Sequence, residues 1–140
     1  MKVLFASDGS ECSHRAAQYL TKSLRRQVKD LKVTLLYVDV PMLDRVVTAL
    51  GEERVAEIHQ ENSDECLKDA RRRLKRAGVA FVETHMAGNA PYCISRKAED
   101  GKYDLVLMGS HGRTALKNVL LGSVTARVLS ECKVPVLVVH

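Results

Sequence analysis

Tryptophan is missing from this chain, and aromatics together make up only 4% of its 140 residues. So sparse a set argues against a base-stacking platform for single-stranded nucleic acid. The four cysteines, Cys12, Cys66, Cys93 and Cys132, form no C-x-x-C pair and are accompanied by no histidine cluster. That speaks against a zinc site and a disulfide framework. Small buried or half-buried thiols in a reducing compartment are expected instead. No apolar run approaches the ~20 residues of a membrane-spanning helix. Asp8 arrives too early for the apolar region of a signal peptide. The expectation is a cytoplasmic protein with no membrane partner.

What is present suffices for one domain over residues 1–140. Hydrophobic residues make up 46% and charged residues 28%, with a net charge of +5; that balance supports one core and a polar surface. The positive charge suits an anionic ligand. Nucleic acid ranks last among the partners considered.

Apolar runs alternate with helical stripes. Lys2–Ser7 reads as a buried strand that stops at Asp8-Gly9-Ser10, with Ser10 placed to cap a helix. Ala16, Leu20, Leu24 and Val28 recur every four residues on that helix. Val33–Val40 is a second strand, broken by Pro41. A polar stretch leads to a long helix over about 52–77, with Val55, Ile58, Asn62, Cys66, Ala70 and Leu74 expected inward and Gly78 as its stop. Val79–Met86 is a third strand. Pro91 starts a short helix bearing Ile94 and Ala98, and Asp104–Met108 is a fourth strand. Gly122-Ser123 opens a helix with Val124, Val128, Leu129 and Cys132 on its apolar face, and Pro135–Val139 is the last strand. This β-α alternation predicts an α/β fold: a doubly wound, five-stranded parallel sheet in the order 3-2-1-4-5, with helices on both faces. Ligands of such sheets bind beyond the strand C-termini where the order reverses.

Two segments fall at that reversal. One is Ala6-Ser7-Asp8-Gly9. The other runs from Met108-Gly109-Ser110-His111-Gly112 to Gly122-Ser123-Val124, reading Gly, two residues, Gly, nine residues, Gly-Ser. Glycines let backbone approach a ligand without a Cβ in the way, and successive N–H groups cup phosphate oxygens. A helix opening at Gly122-Ser123 adds free N–H groups and the positive end of its dipole. The Ser123 hydroxyl adds a donor, and Arg113 and Lys117 stand ready to screen charge at the rim. The plainer reading is a glycine-rich turn joining a strand to a helix, and glycines alone do not overturn it.

The spacing G-x2-G-x9-G-[ST] resembles the ATP-binding motif of the universal stress proteins, matched by Gly109, Gly112, Gly122 and Ser123. The resemblance extends through "MGSHGRTALKNVLLGSVTARVL", "DGSECS", "LLYV", "GNAPYCI" and "CKVPVLVV". Pro41–Val55 carries little of the pattern. The resemblance implies a Rossmann-like fold of the adenine nucleotide alpha hydrolase type. It implies that Ala6, Ser7 and Asp8 contact adenine and ribose, that Val38, Met108 and Gly109 wall the adenine pocket, and that Gly112, Gly122, Ser123 and Val124 hold the triphosphate, with Ser110 and His111 in the same bend. Relatives often carry Pro-Thr or Val-Ala in place of Ala6-Ser7, a mild departure where contacts are through backbone. ATP is the implied cofactor, with Mg²⁺ or Mn²⁺ carried on its phosphates.

Several residues have competing roles. Asp8 is either a turn residue or a ligand contact, and its place at the crevice favours contact. His111 reads as a loop histidine, since no nucleophile accompanies it. Arg71–Arg76 reads as a solvated helix end, with Glu65 and Asp69 able to pair with residues three or four along. The last strand is apolar and would lie at a sheet edge, a liability unless covered. A homodimer through this edge is expected, and the family resemblance implies the same. Three functions stay open: a nucleotide-dependent regulator, a slow ATPase or nucleotidyl-transferring enzyme, and a partner-binding module with a vestigial pocket. Neither a Walker G-x-x-x-x-G-K-[ST] nor an S-G-G-x-D-S loop occurs.

Overall fold

The computed structural model describes residues 1–113 and 120–140. Strands β1 (Lys2–Ala6), β2 (Lys32–Asp39), β3 (Ala80–Ala87), β4 (Leu105–Gly109) and β5 (Val136–Val139) form one sheet in the order β3-β2-β1-β4-β5. Every pairing is parallel, with Phe5 beside Leu35 and Leu107. The expected order and direction hold, and the strand ends differ from expectation by a residue.

Alternation along the strands divides the core into two layers. Val3, Phe5, Val33, Leu35 and Leu107 point to the face covered by α1 (Glu11–Tyr19) and α4 (Glu52–Arg76). Leu4, Leu36, Val106 and Met108 point to the other face, where Ile94 and Ala98 of α5 (Ala90–Asp100) and Val128 of α6 (Ser123–Glu131) meet them. Burial on both sides explains why these strands read as nearly continuous apolar runs. Ser10 caps α1 by accepting from the Ser13 N–H, and Asn89 caps α5 by accepting from the Tyr92 N–H. The chain after α1 passes through a π-helical turn, Leu20–Leu24, into the short α2 (Arg25–Gln27).

Three expectations are corrected. The stretch after Pro41 contains a helix, α3 (Asp44–Leu50), where only a polar connection was read. The inward stripe of α4 is His59, Ser63, Cys66, Leu67, Ala70 and Leu74, with Asn62 outside and Val55 and Ile58 half-buried. Its first half is displaced because His59 turns inward to a buried carboxylate. On α6 the buried pair is Thr125 and Val128, whereas Val124 and Leu129 are 37% and 45% exposed. The Thr125 hydroxyl turns inward to donate to the Gly109 carbonyl at 2.9 Å, which rotates the face.

The N-terminal ends of the strands are tied down. The Lys2 N–H donates to Asp104 Oδ2 at 2.6 Å, and Lys2 Nζ donates to the Gly101 carbonyl at 2.6 Å while lying 4.3 Å from the Tyr103 ring centroid. Tyr103 in turn donates to Thr34 Oγ1 at 2.8 Å inside the core. Among the described residues no helix is long and apolar enough to cross a membrane. Cys66 and Cys93 are buried, Cys12 and Cys132 half-buried, and all four are free thiols.

Candidate functional site

At the opposite end, a cleft of about 560 Å³ lies beyond the paired ends of β1 and β4. Ala6, Ser7, Asp8, Val38, Met108, Gly109, His111, Gly112, Gly122, Ser123 and Val124 all line it. The twelfth expected residue, Ser110, is not part of the lining. Its hydroxyl lies 3.0 Å from His111 Nδ1 and 2.9 Å from His140 Nδ1, linking the bend to the end of β5. The His111 and His140 rings meet edge to face with centroids 5.6 Å apart. Lys117 lies outside the described residues.

The bend is built by close backbone approach. A Cβ on Gly109 would stand 2.7 Å from Cys12 backbone and side-chain carbons. One on Gly112 would stand 2.8 Å from Asp8 Oδ2. Both are shorter than real Cβ contacts: at Gly109 the obstacle is backbone, so glycine lets β4 pass α1, and at Gly112 a side chain would push the Asp8 carboxylate aside. The Gly122 N–H donates to the Ser110 carbonyl at 2.8 Å, bringing the start of α6 back to the start of the bend.

Asp8 is the clasp across the crevice. Its Oδ1 accepts from the Ser10 N–H at 3.0 Å and from the Ser13 hydroxyl at 2.7 Å. Its Oδ2 accepts from the Arg113 N–H at 3.2 Å. Ser10 Oγ donates to the His111 carbonyl at 3.1 Å, a second tie between the same two loops. The turn-residue and crevice readings of Asp8 therefore meet in one side chain: it makes an Asx-type turn and also faces the cleft.

The start of α6 differs from those of α1 and α5. Gly122 occupies its cap position and offers no side chain to the first-turn N–H groups. These groups have no intrahelical partners, and the residues that carry them, Ser123, Val124 and Thr125, line the cleft. A concentrated set of donors at the positive end of a helix dipole attracts an anion. Opposite lies an apolar wall of Val38, Leu36, Ile94 and Met108.

Behind that wall lies a network that the sequence reading missed. Asp39 ends β2 buried on the α4 side. Its Oδ2 is 2.8 Å from His59 Nδ1 and accepts from Asn62 Nδ2 at 2.8 Å; its Oδ1 accepts from the Tyr37 hydroxyl at 3.0 Å and the Val40 N–H at 2.9 Å. Burial pushes the Asp39 carboxyl up, but the bonds from Asn62, His59, Tyr37 and Val40 outweigh it and hold the group below its usual range. Burial, reinforced by Cys66 and Asp39, raises the Tyr37 phenol, which stays protonated. Arg113 Nη2 reaches the Tyr37 hydroxyl at 3.5 Å. Partners twenty or more residues apart left no local pattern to read. Ser13, by contrast, sits three residues after the cap Ser10, and that spacing could have singled it out.

Among the described residues no cluster of three or more His, Cys, Asp or Glu side chains is arranged to hold a metal ion. The basic run of α4 is answered within the chain: Arg72 and Arg73 pair with Asp69, and Arg71 bridges Asp64 and Glu83.

Fold and cleft together define a class: a doubly wound α/β protein whose crevice, at the reversal of strand order, is floored by glycine backbone and an open helix start. The universal stress protein family model matches residues 1–140, and the chain belongs to that family. Universal stress protein MJ0531 of Methanocaldococcus jannaschii is 32% identical over 139 residues, spanning 99% of this chain and 81% of its own. The solved structure of MJ0577, from the same organism, superposes with a TM-score of 0.82 at 30% identity, covering 99% of this chain and 94% of that one. A universal stress protein solved in complex with cAMP superposes with a TM-score of 0.74 at 25% identity, covering 100% and 97%.

Proposed function

We propose that this chain is an ATP-binding universal stress protein, a nucleotide-dependent regulator in the stress response. The observation that carries the reading is the uncapped start of α6 at Gly122, brought beside the Gly109–Gly112 bend. Amides there suit phosphate oxygens, and the apolar wall of Val38 and Met108 suits a purine. The cAMP complex of a family member supports an adenine nucleotide as the ligand class. Ala6, Ser7 and Asp8 take the nucleoside side; Gly112, Gly122, Ser123 and Val124 take the phosphates.

A divalent cation fits this arrangement as a passenger on the phosphates. Asp8 already accepts three hydrogen bonds, and Mg²⁺ prefers phosphate and water oxygens to a full protein cage. The working form is a cytoplasmic homodimer of this one-domain chain, joined along β5. Side chains of β5 are half-buried in the chain's own core, so what the edge offers a second copy is chiefly its row of backbone groups, flanked by exposed Leu129.

Titration of nucleotide-stripped protein with ATP tests the reading. Binding in the low-micromolar range, about 8 kcal/mol, is expected. Gly122→Val abolishes it, because a Cβ there meets the Ser110 carbonyl oxygen at 3.2 Å and His111 Cα at 3.3 Å. Folded, stripped wild-type protein that releases no binding heat with ATP, ADP or AMP refutes it.

A further inference from the structure

A second groove, of about 530 Å³, runs off the main cleft. The two share Val38, Val40, Ala90, Ser123 and Val124, so a ligand can pass from one to the other. The cleft alone already has the size of a small-molecule site, roughly 300–1,000 Å³; Asp39, Pro41, Gly88, Asn89, Pro91 and Arg127 line the groove and not the cleft. The groove has apolar walls at Val40, Pro41 and Pro91, a mostly buried carboxylate at Asp39 already engaged by Tyr37, His59, Asn62 and the Val40 N–H, and one cation, Arg127. Val40 is 78% exposed, an apolar surface that a bound group would cover.

Arg127 stands one helical turn beyond Ser123 on the same side of α6. It lines the groove but not the cleft. A phosphate chain that starts at the α6 amides and continues past Ser123 meets this guanidinium next. Arg127 Nε and Nη2 now donate to Glu131 at 3.1 and 3.0 Å. Both side chains are about half exposed, so the pair is weak and readily exchanged for a phosphate, which accepts two parallel bonds from the same fork.

We propose that the chain binds dinucleoside polyphosphates, with one nucleoside in the cleft, Arg127 on the distal phosphates and the second nucleoside against Val40, Pro41 and Pro91. The proposal rests on the adenine-nucleotide reading of the cleft. Arg127 is then the residue that separates a long ligand from ATP.

Calorimetric titration with diadenosine tetraphosphate and, separately, ATP tests it. The wild type is expected to bind the tetraphosphate at least about tenfold tighter, 1.4 kcal/mol. Arg127→Ala should bring the two ligands within about threefold of each other and leave ATP within about threefold of wild type, since Arg127 lines the groove and not the cleft. Arg127→Glu should reverse the preference by placing a carboxylate against the distal phosphates. Equal affinities in the wild type overturn the proposal, as does a preference that survives Arg127→Ala. Loss of ATP binding in the wild type removes the nucleotide reading with it. ATP binding without a gain for the longer ligand removes the extension alone.

Discussion

Asp8 follows β1 and Asp39 closes the neighbouring β2, and each carboxylate accepts several hydrogen bonds. Their partners differ in kind. Those of Asp8 are two main-chain N–H groups, of Ser10 and Arg113, and one hydroxyl, of Ser13 in the first turn of α1. Those of Asp39 are mostly side chains, one on its own strand and two on α4, and of these Tyr37 and His59 are buried. The same residue type at equivalent strand ends thus holds a mouth in shape in one case and fastens a helix to a sheet in the other. The difference arises from the face: Asp39 shares the α4 side with Tyr37, where burial makes every unpaired group costly.

The comparison can be broken by substitution. Asp39→Ala leaves His59, Asn62 and Tyr37 without their acceptor, and a loss of about 3 kcal/mol is expected in urea unfolding, with ATP affinity of the folded protein changed less than about threefold. Asp8→Ala should show the opposite balance. Stability falls by only about 1 kcal/mol, because the Ser13 hydroxyl keeps the Ser10 hydroxyl as a partner and lines the open cleft. ATP affinity falls about tenfold, because the bend loses its tie to Arg113. If both variants lose stability and affinity in the same proportion, the two carboxylates do not divide the work as described.

Acid sharpens the contrast. Asp39 has a folded pKa below its unfolded value, so its contribution is complete above the unfolded value, near 4, and disappears as pH falls through the lower folded value. Stability should therefore decline with acid below about pH 4, and Asp39→Asn should show a shallower decline. Unfolding midpoints measured from pH 6 to pH 3 decide the matter. A slope identical to wild type assigns the acid limb elsewhere, for example to Asp69, which Arg73 and Arg72 hold low against the upward push of burial.

Much of this was legible beforehand where the signal is local. Strands such as Val33–Val38 announce themselves because both faces are buried, and the alternation with helices leaves few topologies. The glycines at 109, 112 and 122 were legible from their spacing, and the structure shows the tightest backbone approach at Gly109. Helix α3 was hidden because its start, Leu43, provides no cap and none of its side chains is fully buried. The α4 stripe was misphased because His59 and Ser63 are polar yet inward. Periodicity of apolar residues passes over a polar residue that is buried to serve another. The Asp39 network was invisible for the same reason: its logic is tertiary.

The ties among Lys2, Gly101, Tyr103, Thr34 and Asp104 all gather at the end of the sheet remote from the cleft. The base of the sheet therefore has fastenings of its own, separate from those of Asp8 and Asp39 at the mouth. A substitution at a rim residue such as Val40 or Pro41 leaves these base contacts untouched. An anchored base beneath a permissive rim lets one scaffold try new ligands while it continues to fold.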